Sequence, residues 1–386
     1  MYMTKRESMK KIKLLCLLIL WSLIGTAALG ADWTKKRLTD NGWDDRYPDI
    51  AVNGGYVYTI WDSTTGSSEI WFRRSTDGGA TWLPRKTLAH FSLDYAFFQP
   101  AIAADGSNVS GVWVRQDDLG NNEIFFRTSN DNGATWQASK RLTYNSGSSK
   151  DPAIVRSGAT VCVVWSDDTP GNYEIYFRKS IDGGETWQAA HRLTSNSGAS
   201  TYPAIAANGE KIYVVWVDNT SGNNDIFFRK STDGGATWNA AKQLTTSASD
   251  SHHPRIALNG SNIYATWCDD VTGNYEIYFR RSLDSGASWQ TSKNITNNAG
   301  SSGSPDIAVR GDSVFLAWDD TDPGNYEIYF CRSDNGGVSW QASQRLMYNS
   351  GYSGCPAIAV SSSKIFVTWM DNLSWDKEIF VSFSPL

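Results

Sequence analysis

The sequence predicts an all-β fold, a seven-bladed β-propeller of four-stranded blades, on three observations. The octapeptide pattern Ser-x-Asp-x-Gly-x-x-Trp begins at Ser75, Ser129, Ser180, Ser231, Ser282 and Ser333, at intervals of 54 and then 51 residues. An internal period of that length outranks other local signals. A proline recurs at Pro48, Pro100, Pro152, Pro203, Pro254, Pro305 and Pro356, and a tryptophan at Trp61, Trp113, Trp165, Trp216, Trp267, Trp318 and Trp369, so the unit is present seven times. The seventh unit ends at Leu386 without its octapeptide, yet the chain opens with Trp33 and Arg37-Leu38-Thr39, much like Trp187 and Arg192-Leu193-Thr194 of a complete unit.

Taken in order, the first 31 residues form a separate unit. Lys5, Arg6, Lys10, Lys11 and Lys13 precede an apolar run from Leu14 to Leu29 that closes on Ala27-Ala28-Leu29-Gly30-Ala31. That is the layout of a secretory signal peptide cut after Gly30 or Ala31. It predicts a secreted, periplasmic or cell-surface protein with no stable membrane span after cleavage. Cys16 lacks the small preceding residue of a lipidation site. Residues 32–386 are expected to form one propeller domain, with residues 33–40 supplying the outer strand of the last blade and removing the exposed sheet edges.

Within a repeat, Pro152-Ala153-Ile154 opens a first strand, Thr160 to Trp165 a second, Glu174 to Ser180 a third, and Arg192-Leu193-Thr194 a fourth. The second strand is apolar on both alternating faces, with Ile212, Val214 and Trp216 on one side and Tyr213, Val215 and Val217 on the other. A sheet sandwiched between neighbours requires that pattern, and no blade can bury its two faces alone. The octapeptide joins the third and fourth strands. Its carboxylate can accept backbone amides while glycine takes positive φ, and the tryptophan is expected to fold back over the turn.

The octapeptide resembles the Asp box, or BNR repeat, of the sialidase-like propellers. On that resemblance Asp77, Asp131, Asp182, Asp233 and Asp284, with Asn335 in the sixth copy, are structural, and ligands meet the opposite face, where the loops from second to third strand and from fourth to next first strand emerge. The resemblance implies a six-bladed ring for a sialidase, whereas seven units are counted here.

Three sets of residues compete for function. Acids recur after the second strand (Asp62, Asp117, Asp167, Asp218, Asp269, Asp319, Asp371) and before the third (Glu69, Glu123, Glu174, Asp225, Glu276, Glu327, Glu378). Asp269, Asp270 and Glu276 have the donor type for Ca²⁺, but seven copies read as architecture, and neither metal nor cofactor is expected. The arginine of the third strand, as in Arg127, Arg178 and Arg229, reads the same way.

The second set departs from the repeat. Before the prolines stand Arg46-Tyr47, Phe98-Gln99, Lys150-Asp151, Thr201-Tyr202, His252-His253, Gly303-Ser304 and Gly354-Cys355, and after them Asp49, Arg255 and Asp306 replace the usual alanine. Ligand contacts are expected from Arg46, Tyr47, Tyr202, His252, His253 and Arg255. The sialidase resemblance implies a three-arginine clamp on a carboxylate, for which Arg46, Arg115 and Arg255 are the available set; Arg115 is read as standing where its neighbours have Ser166 or Val217. The Tyr-Glu pairs Tyr173-Glu174, Tyr275-Glu276 and Tyr326-Glu327 recur across blades, so none stands out as a nucleophile.

The third set is aromatic and amide-rich: Tyr173, Tyr275 and Tyr326 beside Asn172, Asn223, Asn274 and Asn325, suited either to sugar or to turn formation. Cys162, Cys268, Cys331 and Cys355 form no metal motif; the exported address permits a disulfide without assigning one, and Cys162 and Cys331 read as buried thiols. A net charge of −5 with interspersed signs excludes nucleic acid as a partner. Regular repeats with few asymmetric groups favour a non-catalytic module that binds glycan or an extracellular protein, over an exo-sialidase-like glycoside hydrolase.

Overall fold

A computed structural model describes residues 33–64, 67–91, 99–117, 120–374 and 376–386. The segment expected to be a signal peptide, with Cys16, and Phe98 lie outside the described residues. Seven four-stranded antiparallel sheets are arranged as a ring, and no helix occurs among the described residues. Blade 3 shows the unit: Ser149–Ser157 pairs with Thr160–Asp167, that strand with Glu174–Ser180, and the third with the short outer strand His191–Arg192. The first strand of each blade is innermost. In blade 7 the outer strand is Thr34–Arg37, which runs antiparallel to Asp376–Pro385 in the register Thr34 opposite Phe383 and Arg37 opposite Phe380. The first strand of the chain therefore closes the ring.

The second strands carry the core. Trp61, Trp113, Trp165, Trp216, Trp267, Trp318 and Trp369 are among the largest fully buried side chains. In blade 3 the Trp165 indole donates to Asp167 Oδ2 at 3.2 Å, and Ser149 Oγ donates to the same oxygen at 2.8 Å. Asp218, Asp269 and Asp320 are held likewise by Trp216 and Ser200, Trp267 and Ser251, and Trp318 and Ser302. A buried carboxylate is tolerated because each oxygen meets donors.

Strand register corrects part of the expected acid ring. Asp167 lies opposite Glu174, and the residues in that place elsewhere are Asp320 in blade 6, Ser63 in blade 1 and Arg115 in blade 2, so Asp319, Asp62 and Asp117 do not belong to it. Arg115 accordingly matches Asp167 and Asp218, not Ser166 or Val217. Blade 1 swaps the pair across the strands: Asp45 faces Ser63 where blade 3 has Ser149 facing Asp167, and Trp61 donates to Asp45 Oδ1 at 3.0 Å.

The octapeptide hairpins are self-contained and also reach their neighbours. Ser231 Oγ donates to Asp233 Oδ1 at 2.7 Å and accepts from the Gly235 amide at 2.8 Å, while Thr237 N donates to Asp233 Oδ1 at 2.9 Å. These donors pull the exposed Asp233 carboxyl down to about 2, the Thr237 hydroxyl and amide contributing most. Asn335 keeps the geometry, accepting from Ser333 Oγ and Ser339 N at 2.9 Å each and donating its amide to Ser339 Oγ at 2.8 Å.

The tryptophan does more than cover its own turn. Trp238 donates to Gly235 O at 3.2 Å and packs edge-on against Phe177 of the preceding blade, centroids 5.2 Å apart. Trp136, Trp187, Trp289 and Trp340 meet Phe72, Phe126, Phe228 and Phe279 in the same way, and Trp33 meets Phe330 at 5.0 Å, filling that place for blade 7. The third-strand arginines complete the clip. Arg229 donates through Nε to Asn239 O in its own hairpin and through Nη1 to Leu193 O, directly after the previous blade's outer strand. Arg73, Arg127, Arg178 and Arg280 do the same toward Leu38, Leu88, Leu142 and Leu244.

Candidate functional site

A cavity of about 510 Å³ lies on the ring axis, walled by all seven first strands. Each strand contributes residues flanking its proline, and Pro48, Pro100, Pro152, Pro203 and Pro356 themselves line the wall. The residue before the proline has positive φ in every blade: Tyr47 48°, Gln99 36°, Asp151 53°, Tyr202 52°, His253 50°, Ser304 47° and Cys355 53°. Left-handed backbone is costly for a side chain bearing a Cβ, and a following proline ordinarily pushes its neighbour toward extended conformation. Seven copies at about 1–3 kcal/mol each make a strained belt.

The strain has a geometric effect. Strand register slips between Arg46 and Asp49, Lys150 and Ala153, Thr201 and Ala204, His252 and Arg255, Gly303 and Asp306, and Gly354 and Ala357. Such a bulge re-aims a side chain. The residue immediately before the proline lines the cavity in each blade, whereas Arg46, Lys150, Thr201, His252, Gly303 and Gly354, one position earlier, do not.

That separates the expected ligand contacts. Tyr47, Tyr202, His253 and Arg255 line the cavity, joined by Asp49, Gln99, Asp151, Ser304, Asp306 and Cys355, while Arg46 and His252 do not. Arg46 pairs with Asp44, and the His252 ring lies 5.8 Å from that of Tyr275. Arg115 sits over the Phe91 and Phe125 rings at 5.4 and 5.1 Å. Of the three arginines considered for a clamp, only Arg255 reaches the cavity.

The cavity is acidic and its acids are occupied. Asp49 accepts the Ile50 amide at 2.8 Å and, from the next blade, the Ile102 amide at 2.7 Å; Asp306 accepts the Ile358 amide of the next blade at 2.7 Å. Burial pushes the Asp49 carboxyl up to about 7, with Asp306 adding repulsion, and burial likewise raises Asp306 and Asp151. Arg255 faces Asp306 Oδ1 at 3.6 Å from a partly exposed position, a weak pair. Behind the belt, Asp319 takes the Cys355 amide at 3.0 Å and Ser166 donates to Asp151 at 3.1 Å.

His253 is neutral at physiological pH, burial first and then Arg255 and His252 holding it down to about 4. Its ring packs edge-on to Tyr202 at 5.3 Å, and Cys268 Sγ lies 3.7 Å from Nδ1. The wall thus offers aromatic faces, amide, hydroxyl, imidazole and carboxyl groups, with one cation. It is equipped to hold a polyol by stacking and hydrogen bonds.

The other sets are architectural. Asn172 Nδ2 donates to Asn196 O at 3.3 Å and also to Gly198 O; Asn223, Asn274 and Asn325 clamp the corresponding loops. Asp269 and Glu276 spend their oxygens on Ser249, Ser251, Val271, Asn297 and Asn298 donors, and among the described residues no cluster of His, Cys, Asp or Glu is placed to hold a metal ion. Cys162, Cys268, Cys331 and Cys355 are all unpaired thiols. The acids Asp49 and Asp306 were visible in the sequence as departures from alanine but were not among the expected ligand contacts, and the structure places them at the cavity.

A closed ring of four-stranded blades carrying Asp-box hairpins, with an asymmetric axial cavity, defines an Asp-box propeller. A BNR repeat-like domain model matches residues 46–214, and the seven-bladed ring is similar in fold to the BNR-repeat, sialidase-like propellers. A curated xyloglucanase from Paenibacillus sp is 25% identical over 336 residues, 80% of this chain and 26% of that protein. The chain therefore spans about a quarter of the length of that relative. Among solved structures, a Dyadobacter fermentans protein of unknown function aligns with TM-score 0.55 and 13% identity, covering 91% of this chain and 99% of its own. The phage phi92 endosialidase aligns with TM-score 0.56 and 11% identity, covering 92% and 69%. At such identities these structures speak for the fold.

Proposed function

We propose that the protein is an exported, non-catalytic glycan-binding propeller, and that the axial cavity receives a neutral sugar. The observation that carries this reading is the belt: seven equivalent, strained positions hold Tyr47, Gln99, Asp151, Tyr202, His253, Ser304 and Cys355, six residue types on an otherwise repeated frame. A position whose backbone is costly and whose side chain varies by blade is a recognition position. Charge selects the ligand class. Asp49, Asp151 and Asp306 face the cavity against Arg255 alone, which disfavours a sialic acid carboxylate. The xyloglucanase relative is consistent with a neutral glycan, and the amino-terminal signal sequence with export.

The hydrolase reading draws on Asp49, whose carboxyl is raised to about 7 beside Asp306, as a general acid requires. Both acids, however, are engaged with backbone amides of the next blade. The test is calorimetric titration of the protein with a xyloglucan oligosaccharide and with sialyllactose, alongside a reducing-end assay. Binding of the neutral sugar, lost about tenfold in Tyr202→Ala, without turnover, is the expected result. Preference for sialyllactose refutes the neutral-sugar reading, and reducing ends whose release stops in Asp49→Asn establish the hydrolase.

A further inference from the structure

Two tyrosines stand outside everything described so far. Tyr144 and Tyr348 are 73% and 72% exposed, the two most exposed large hydrophobic side chains among the described residues. They occupy the same place in blades 2 and 6, directly after Leu142-Thr143 and Leu346-Met347, where blades 3, 4, 5 and 7 carry Ser195, Thr246, Asn297 and Asp40. Each is carried on a fixed cation. The Arg141 guanidinium lies over the Tyr144 ring at 4.8 Å and that of Arg345 over the Tyr348 ring at 4.6 Å.

The arginines beneath are not free to move. Arg345 Nε donates to Met347 O at 2.7 Å and its Nη2 to the buried Glu327 at 2.8 Å; Arg141 Nε donates to Thr143 O at 2.6 Å and pairs with the buried Glu123. Arg192 makes the same bonds to Thr194 O and Glu174 in blade 3, where Ser195 follows. The arginine frame is therefore common architecture, and the tyrosine is the addition. With one face against a guanidinium, each ring keeps its opposite face open to solvent and its orientation fixed, so little ordering entropy opposes a planar ligand.

We infer that Tyr144 and Tyr348 are stacking platforms for further sugar units of a neutral polysaccharide whose end or branch occupies the axial cavity. They lie where the fourth strand leads into the next first strand, on the same face as the belt residues, three strand spacings or roughly 14 Å outward from the innermost strand. A flat hydroxyl-bearing aromatic face suits the apolar face of a sugar ring. This inference rests on the glycan reading of the cavity, and adds that the ligand is polymeric.

The test compares soluble xyloglucan polymer with a xyloglucan oligosaccharide short enough for the cavity alone, using affinity electrophoresis and calorimetry. The expected result for Tyr144→Ala/Tyr348→Ala is a loss of about tenfold or more in polymer affinity with oligosaccharide affinity unchanged, and recovery in Tyr144→Phe/Tyr348→Phe, which keeps the rings. Both side chains are exposed, so folding is preserved. Polymer affinity equal to the parent's in the double alanine variant overturns the platforms and leaves the cavity reading intact. A parent that binds neither polymer nor oligosaccharide overturns both.

Discussion

Replacing Gly235 with alanine tests whether the blades are locked to each other by the Asp-box turns. Gly235 has φ +90°, and a Cβ there would fall 2.5 Å from Phe177 Cε1 and 2.7 Å from Cζ, inside the edge-on contact with Trp238. Gly209, in the hairpin between the first two strands of the same blade, has φ +60° with nothing within 4 Å of a Cβ. Both alanines incur the left-handed backbone cost, about 1 kcal/mol. Only Gly235→Ala must also displace Phe177 of the preceding blade, an overpacking cost of about 1–3 kcal/mol. The expected losses are therefore about 1 kcal/mol for Gly209→Ala and about 2–4 kcal/mol for Gly235→Ala, read from guanidinium denaturation midpoints at matched slopes. Losses equal within about 0.5 kcal/mol would refute the claim that the turn is fitted against its neighbour.

Two further predictions concern stability. Trp33→Ala and Trp136→Ala should each cost about 2 kcal/mol, since both indoles lie edge-on to a phenylalanine of the preceding blade; a silent Trp33→Ala in the same denaturation experiment would mean that the ring is loosely closed. Asp62 is buried with neither oxygen hydrogen-bonded, and burial raises its carboxyl to about 8, Arg46 and Lys377 opposing and Asp45 reinforcing. The folded chain thus keeps a proton that the unfolded chain releases near pH 4, so the parent loses stability as pH rises from about 4 to 8. Asp62→Asn should be more stable than the parent at pH 8, by on the order of 2 kcal/mol, and gain little at pH 4; equal melting curves at both pH values would contradict this.

Much of the architecture is legible in the sequence because a period near 51 residues leaves few alternatives, and because Trp33 with Arg37-Leu38-Thr39 carries the signature of the segment missing at the other end. What escaped was side-chain direction. Both residues ahead of each proline differ between blades, so Arg46 and His252 looked equivalent to Tyr47 and His253. A left-handed residue ahead of proline runs against local preference, and only the completed bulge shows that one of each pair faces the axis. The acid ring was misread for a related reason. In blade 1 Asp45 and Ser63 exchange the roles of Ser149 and Asp167, and a swap across paired strands leaves no trace in linear order.

The third-strand arginines and box tryptophans give assembly a direction. Each fastens the blade before its own, so a chain made from its amino end delivers every fastener only after the blade it secures. Blade 7 is the exception. Its outer strand is made first and is followed by Arg73 of blade 1, which donates to Leu38 O only 35 positions on, whereas Arg37 waits 341 positions for Glu378 on the third strand, which it meets at 2.8 Å. The final latch is in place from the start and waits for its catch, so closing the ring is the step of longest reach in folding.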